Sequence, residues 1–282
     1  MHAVYSAETK LFNELGRRIN TQQYRTFDNE ALHYYHIKNR PWDFKSLAER
    51  LNTFGHFARP VCAQALQSAC EKLRKGIEAN SQLSNLFHGV HFPFVIPQLD
   101  PQKDLGESLI SDFLDSLEAS FRDMYPESYF KAVMQGGTSL QGNLKIAAHS
   151  RYQTLLDAAA TGPVAGWYFP QALQQFDLAS QHRQMLELPP IKGLCLSGPV
   201  EMIHAVMAMP DLLINEEGYA PILCMSAVEH QDERLALVLK SYGPHLEFWC
   251  LSQMLVPGVT QVSEQWAGGI TAYTNMPISC SR

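Results

Sequence analysis

Charge is scarce in this sequence. Asp, Glu, Lys and Arg make up 18% of its 282 residues, too few for dense surface ion-pair networks. Positive charge is scarcest towards the end: residues 191–282 hold 4 Lys and Arg against 9 Asp and Glu, whereas residues 1–190 hold 18 against 19. Phosphate backbones need clustered cations. No basic run occurs anywhere in the chain, so nucleic acid is not an expected partner.

Long apolar runs are also missing. The best candidate, residues 203–214, is interrupted by His204 and Pro210, and a membrane-spanning helix needs about twenty apolar residues in succession. Met1-His2-Ala3-Val4-Tyr5 lacks the basic-then-apolar pattern of a secretory leader. The expectation is a soluble cytoplasmic protein without membrane insertion.

The six cysteines, Cys62, Cys70, Cys195, Cys224, Cys250 and Cys280, form no Cys-x-x-Cys pair and no dense disulfide framework of the small secreted kind. Three sit in apolar runs, where a reduced thiol behaves as a small buried hydrophobe. Gly-x-Gly-x-x-Gly, the phosphate-binding Gly-Lys-Ser/Thr loop and Gly-x-Ser-x-Gly are all absent. No cofactor is expected.

What is present is apolar. Hydrophobic residues make up 46% of the chain, ample for a large core, and extended disorder is not expected. The clearest break is Pro189-Pro190. It divides an expected mainly helical region, 1–188, from a small α/β region, 189–282, which can pack together as one body. The expected fold class is α+β, the smaller part holding a short three- or four-stranded sheet; the alternative is all-α.

In the first region, Leu11, Phe12, Leu15 and Ile19 recur at helical spacing over residues 7–20. Asp28 caps a second expected helix reaching about Lys38, and Asp43 a third, with Leu47, Ala48 and Leu51 inward. Cys62, Leu66, Ala69, Leu73 and Ile77 form a stripe behind Pro60. A short helix is expected near residues 82–87. Pro93 and Pro97 confine the apolar run between them to an extended segment or an edge strand. Helices are expected over 104–124, 140–160 and 171–186.

The last third carries a repeat. Three apolar runs end in Cys195-Leu196-Ser197, Cys224-Met225-Ser226 and Cys250-Leu251-Ser252, spaced 29 and 26 residues apart. A period near thirty suits one strand plus one helix. The reading is a small parallel sheet, with helices after Pro199 and over 227–243. Residues 245–255 fit a strand or a helix, and 268–274 an edge strand.

Parallel sheets bind ligands beyond their strand ends. The candidate ligand site is therefore Ser197, Gly198, Ser226 and Ser252, with Glu229 and His230 to handle a proton. Free amides at the Gly198 helix start would hold an anion. The competing reading makes these serines helix and turn caps. His204 near Ser197 suits a packed histidine better than a catalytic one. The His33/His36 and His88/His91 pairs offer four nitrogens, but no Glu-x-x-His accompanies them, and no metal site is assigned. The acidic residues of 104–127 follow a solvated helix face. Tyr34, Tyr35, Trp42 and Phe44, with Tyr24 nearby, form a core corner or a partner-facing patch.

Two functions follow. One is a non-enzymatic interaction or adaptor subunit of a cytoplasmic complex, with a protein partner or self-association. The other is an enzyme binding a small anionic metabolite at Ser197 and Gly198.

Overall fold

The computed structural model describes residues 9–21, 24, 39–214, 222–252, 254–256, 259–260 and 266–276. Helix α1 (Phe44–Phe54) starts at its expected cap. The Asp43 carboxylate accepts the Lys45 and Ser46 amides at 3.0 and 3.2 Å, an arrangement worth about 1 kcal/mol. Leu47, Ala48 and Leu51 turn inward. Helix α2 (Ala63–Glu78) buries Leu66, Ala69, Cys70 and Ile77. Strand β1 (Phe92–Ile96) follows a 3-10 turn at Leu86–His88. Residues 105–124 are helical throughout, as α3 (Leu105–Ser108), a π turn (Leu109–Phe113) and α4 (Leu114–Met124).

Beyond it come β2 (Phe130–Met134), β3 (Leu144–Ile146), α5 (Tyr152–Thr161), β4 (Val164–Phe169), α6 (Leu178–Glu187), β5 (Leu194–Leu196) and α7 (Pro199–Ala208). The described remainder is β-rich: β6 (Ile222–Cys224), β7 (Val228–His230), β8 (Leu235–Tyr242), β9 (His245–Ser252), β10 (Met254–Val256), β11 (Val259–Thr260), β12 (Trp266–Gly268) and β13 (Ile270–Asn275).

The fold is mixed α+β. One antiparallel sheet runs β1-β4-β13-β5, and a second, of mixed direction, runs β12-β6-β8-β9-β2. Two short pairs, β3-β7 and β10-β11, accompany them. Each larger sheet takes strands from both sides of Pro189-Pro190, so the strands do not follow that division. β1 is an edge strand, as its prolines require. All ten residues of α7 are buried, as expected of a helix apolar all round, and β1, α1 and α4 pack against it. Among the described residues, no helix is long and apolar enough to cross a membrane.

Several expectations give way. Residues 9–20 form a tight reversal in which Phe12 bridges Arg18, because Gly16 takes φ +69°, outside the right-handed helical region. Residues 140–151 are interrupted by positive φ at Gly142, His149 and Arg151, so α5 starts only at Tyr152. Residues 227–243 hold the strands β7 and β8 joined by a turn, and β8 pairs with β9 from Leu235–Ser252 through to Tyr242–His245. β13 lies centrally between β4 and β5. The helix expected from Asp28 falls outside the described residues.

The repeat dissolves in the same way. The Cys195 strand is β5 in the four-stranded sheet, while the Cys224 and Cys250 strands, β6 and β9, lie in the five-stranded sheet with β8 between them. Ser226 and Ser252 leave the same end of the five-stranded sheet with β8 between them, and the Ser197 carbonyl accepts the Ala227 amide at 3.0 Å, but the three strands do not lie side by side in one sheet.

Candidate functional site

The strand-to-helix junction at Ser197 and Gly198 exists, and it is full. The Gly198 amide donates to Glu201 Oε1 at 2.7 Å. Thr271 Oγ1 donates to the same oxygen at 2.8 Å, and the Tyr152 hydroxyl donates to Glu201 Oε2 at 2.8 Å. Ser197 Oγ lies 2.8 Å from Thr271 Oγ1; since Thr271 spends its proton on Glu201, Ser197 is the donor of that pair. Every member is buried. Burial pushes the Glu201 carboxyl up to about 7, against these three donors and its own backbone amide, which hold it down. The protein's own carboxylate thus occupies the amide offered to an external anion.

Glu229 and His230 do reach a pocket. It measures about 490 Å³ and lies between the start of α6 and the β7–β8 turn. Its floor is apolar, with Leu178, Met225, Val228 and Leu237, and its rim carries Asp177, His182, Glu229, His230 and Glu233. His182 Nε2 is 2.8 Å from the Ser226 carbonyl. A carbonyl only accepts, so Nε2 carries the proton. His182 Nδ1 then faces Glu229 Oε1 at 3.6 Å, and Glu229 Oε2 is 3.3 Å from Lys145 Nζ. His230 is committed to backbone: Nδ1 accepts the Asp232 amide at 2.9 Å, and Nε2 lies 3.3 Å from the Ser139 carbonyl. Asp177 accepts the Ser180 amide at 2.7 Å as the α6 cap. His182 was missed in sequence because nothing in its spacing sets it apart; only the tertiary placement of α6 beside Ser226 and Glu229 brings it there.

A second concavity, of about 610 Å³, runs along α1. Trp42, Leu47, Phe54, Met124 and Met209 supply apolar surface. Both Arg40 guanidinium nitrogens reach the Asp211 carboxylate, one at 2.9 Å. Arg50 donates to Ser120 Oγ at 2.9 Å and to Asp123 at 3.1 Å. Trp42 stands edge-on to Phe92, ring centroids 5.6 Å apart. Phe44 is outside the groove and meets Trp167 edge-on at 6.4 Å. Tyr34 and Tyr35 lie outside the described residues, as do His33 and His36.

The remaining candidates are dispersed. Ser252 is exposed at the far end of β9, opposite Leu235, and Ser226 is buried. His88 faces Glu14 at 3.5 Å, while His91 is packed among Phe87, Trp167 and Trp42. His204 is buried against Phe57 and Phe113. Among the described residues, no group of three or more His, Cys, Asp or Glu side chains is placed to hold a metal ion. No protein-family description, curated protein or solved structure matches this chain.

Proposed function

We propose that this protein is a non-enzymatic interaction subunit of the adaptor kind, receiving a short segment of a partner protein in the groove along α1. The carrying observation is the state of the groove's polar groups. Arg40 is engaged by Asp211, Arg50 by Ser120 and Asp123, and Asp43 by its own helix amides. What remains to offer a ligand is chiefly apolar surface from Trp42, Phe54 and Met124, over the buried Leu47 and Met209. Burying such surface contributes about 25 cal/mol per Å², and aromatic and Met side chains are enriched at interface centres.

The dimensions suit a peptide. α1 has 11 residues and so extends about 16 Å, the length of three helical turns or about five extended residues. The lining sets Arg40 and Arg50 against Asp43, Glu49, Asp123 and Asp211, so the expected occupant has an apolar anchor and a net positive charge. The alternative, an enzyme holding an anionic metabolite at Ser197 and Gly198, requires Glu201 to leave the amide it occupies.

The test is site-specific photo-crosslinking. A benzophenone side chain is placed at Ser46 in the groove and, as control, at exposed Lys131, in cells that make the protein naturally. The reading requires one partner segment crosslinked from Ser46 and not from Lys131, with Met124→Asp, at an exposed groove position, removing the crosslink. Equal crosslinking from both positions, or none from Ser46, overturns it.

A further inference from the structure

We propose that the pocket between α6 and the β7–β8 turn binds a small organic ammonium ion carrying an apolar body, with one N–H held between His182 Nδ1 and Glu229 Oε1. This site is separate from the α1 groove and does not depend on it.

His182 is held in one tautomer. The Ser226 carbonyl holds the proton on His182 Nε2, so a neutral ring presents only a lone pair at Nδ1. That lone pair faces a carboxylate oxygen at 3.6 Å. Two acceptors set against each other need a donor beside them, and an ammonium group carries up to three. His230 cannot take this part, because both of its nitrogens already face backbone groups.

The lining is acidic. Asp177, Glu229 and Glu233 are the ionised groups of the lining, and no Lys or Arg belongs to it. Lys145 reaches Glu229 Oε2 at 3.3 Å, leaving Oε1 on the His182 side. An anion entering here meets three carboxylates; a cation is favoured by all three.

The floor is apolar. Leu178, Met225, Val228, Ala236 and Leu237 present hydrocarbon beneath the polar rim, and about 490 Å³ falls within the usual span of small-molecule pockets. A ligand with a charged head and an aliphatic or aromatic body satisfies both surfaces. A free inorganic cation would leave the floor wet.

The experiment uses the full chain, isotopically labelled, titrated with isopentylammonium chloride and separately with sodium 4-methylpentanoate, an anion of similar shape. Binding of the ammonium is expected at about millimolar strength, given so few heavy atoms. Saturable NMR shifts should centre on the Ala179, Val228 and Ala236 methyl groups. The His182 Nδ1 resonance should stay that of an unprotonated nitrogen in the bound state.

Glu229→Gln should weaken the ammonium about tenfold, one charge contact's worth in a partly buried site. Ala179→Leu, on an exposed helical position where Leu is well tolerated, should block the pocket without changing its charge. Equal binding of the carboxylate, shifts centred elsewhere, or no saturation would each overturn the proposal. So would a protonated His182 Nδ1 closed onto Glu229 that excludes the ammonium.

Discussion

The Tyr152 hydroxyl donates to Glu201 Oε2 at 2.8 Å while accepting the Val200 amide at 3.1 Å. One hydroxyl therefore ties α5 to the first turn of α7 and satisfies two buried groups at once. Leaving either unmatched would cost about 1–3 kcal/mol. With Thr271 on β13 completing the Glu201 shell, a carboxylate joins two helices and a sheet deep in the core.

This carboxylate and His204 set opposing pH dependences. Burial raises Glu201 to about 7, above its unfolded value, so its contribution is fully present below about 4.5 and is lost as pH rises through 7. Burial lowers His204 to about 4, so its contribution is present above about 6.5 and is lost as pH falls through 4. A tenfold change in proton affinity on folding corresponds to about 1.4 kcal/mol. Relative to the unaltered protein, Glu201→Gln should gain stability as pH rises from 5 to 7, and His204→Gln as pH falls over the same range. Denaturant melts across that window test both; parallel curves for all three proteins would refute the assignment.

Gly198 has no room for a methyl group. A Cβ there would sit 2.6 Å from Tyr152 Cε2, although its φ of −128° suits any residue. Gly198→Ala should therefore destabilise by about 1–3 kcal/mol through overpacking. Tyr152→Phe combined with Gly198→Ala should not recover the loss, since the ring remains and the hydroxyl's two bonds go. Thermal melts of the single and double variants decide this.

Two arginine pairs should differ in worth. Arg18 is wholly buried and donates to Glu187 at 2.7 Å and to the Ile19 carbonyl at 2.8 Å. Removing Glu187 by Glu187→Ala should cost about 3 kcal/mol, because a buried cation loses its counter-charge. Arg40 and Asp211 are a third or more exposed, and a double-mutant cycle should return no more than about 1 kcal/mol. A larger coupling at Arg40–Asp211 than at Arg18–Glu187 would contradict the burial argument.

Cys70, Cys195, Cys224 and Cys250 are free and buried. Burial pushes all four thiols up, Cys224 to about 12 and Cys250 to about 11, which removes the reactive thiolate at neutral pH. Iodoacetamide should leave these four unmodified in the native protein and alkylate them after unfolding. Peptide mass spectrometry reads the result residue by residue, and rapid native labelling of Cys195 or Cys224 would be inconsistent with their burial.

The amino-acid order alone determined the elements whose signals are local. Asp43 capping α1, the Leu66–Ala69–Ile77 stripe of α2, the helix over 105–124, the Pro199 start of α7 and the edge position of β1 all follow from side chains within a few residues. Local chemistry fixes them, because a cap, a missing N–H or a helical stripe acts on its own neighbours. Tertiary structure decided the rest. Leu235, Leu237 and Leu239 read as part of a helix, since a run covered on both faces loses its period, and pairing with β9 made it a strand. It also placed Cys195 in a different sheet from Cys224 and Cys250, set Thr271 beside Ser197, and set His182 opposite Glu229. Each of these depends on partners up to 74 residues apart, as Ser197 and Thr271 are, and no short-range pattern encodes which distant strand a segment will meet.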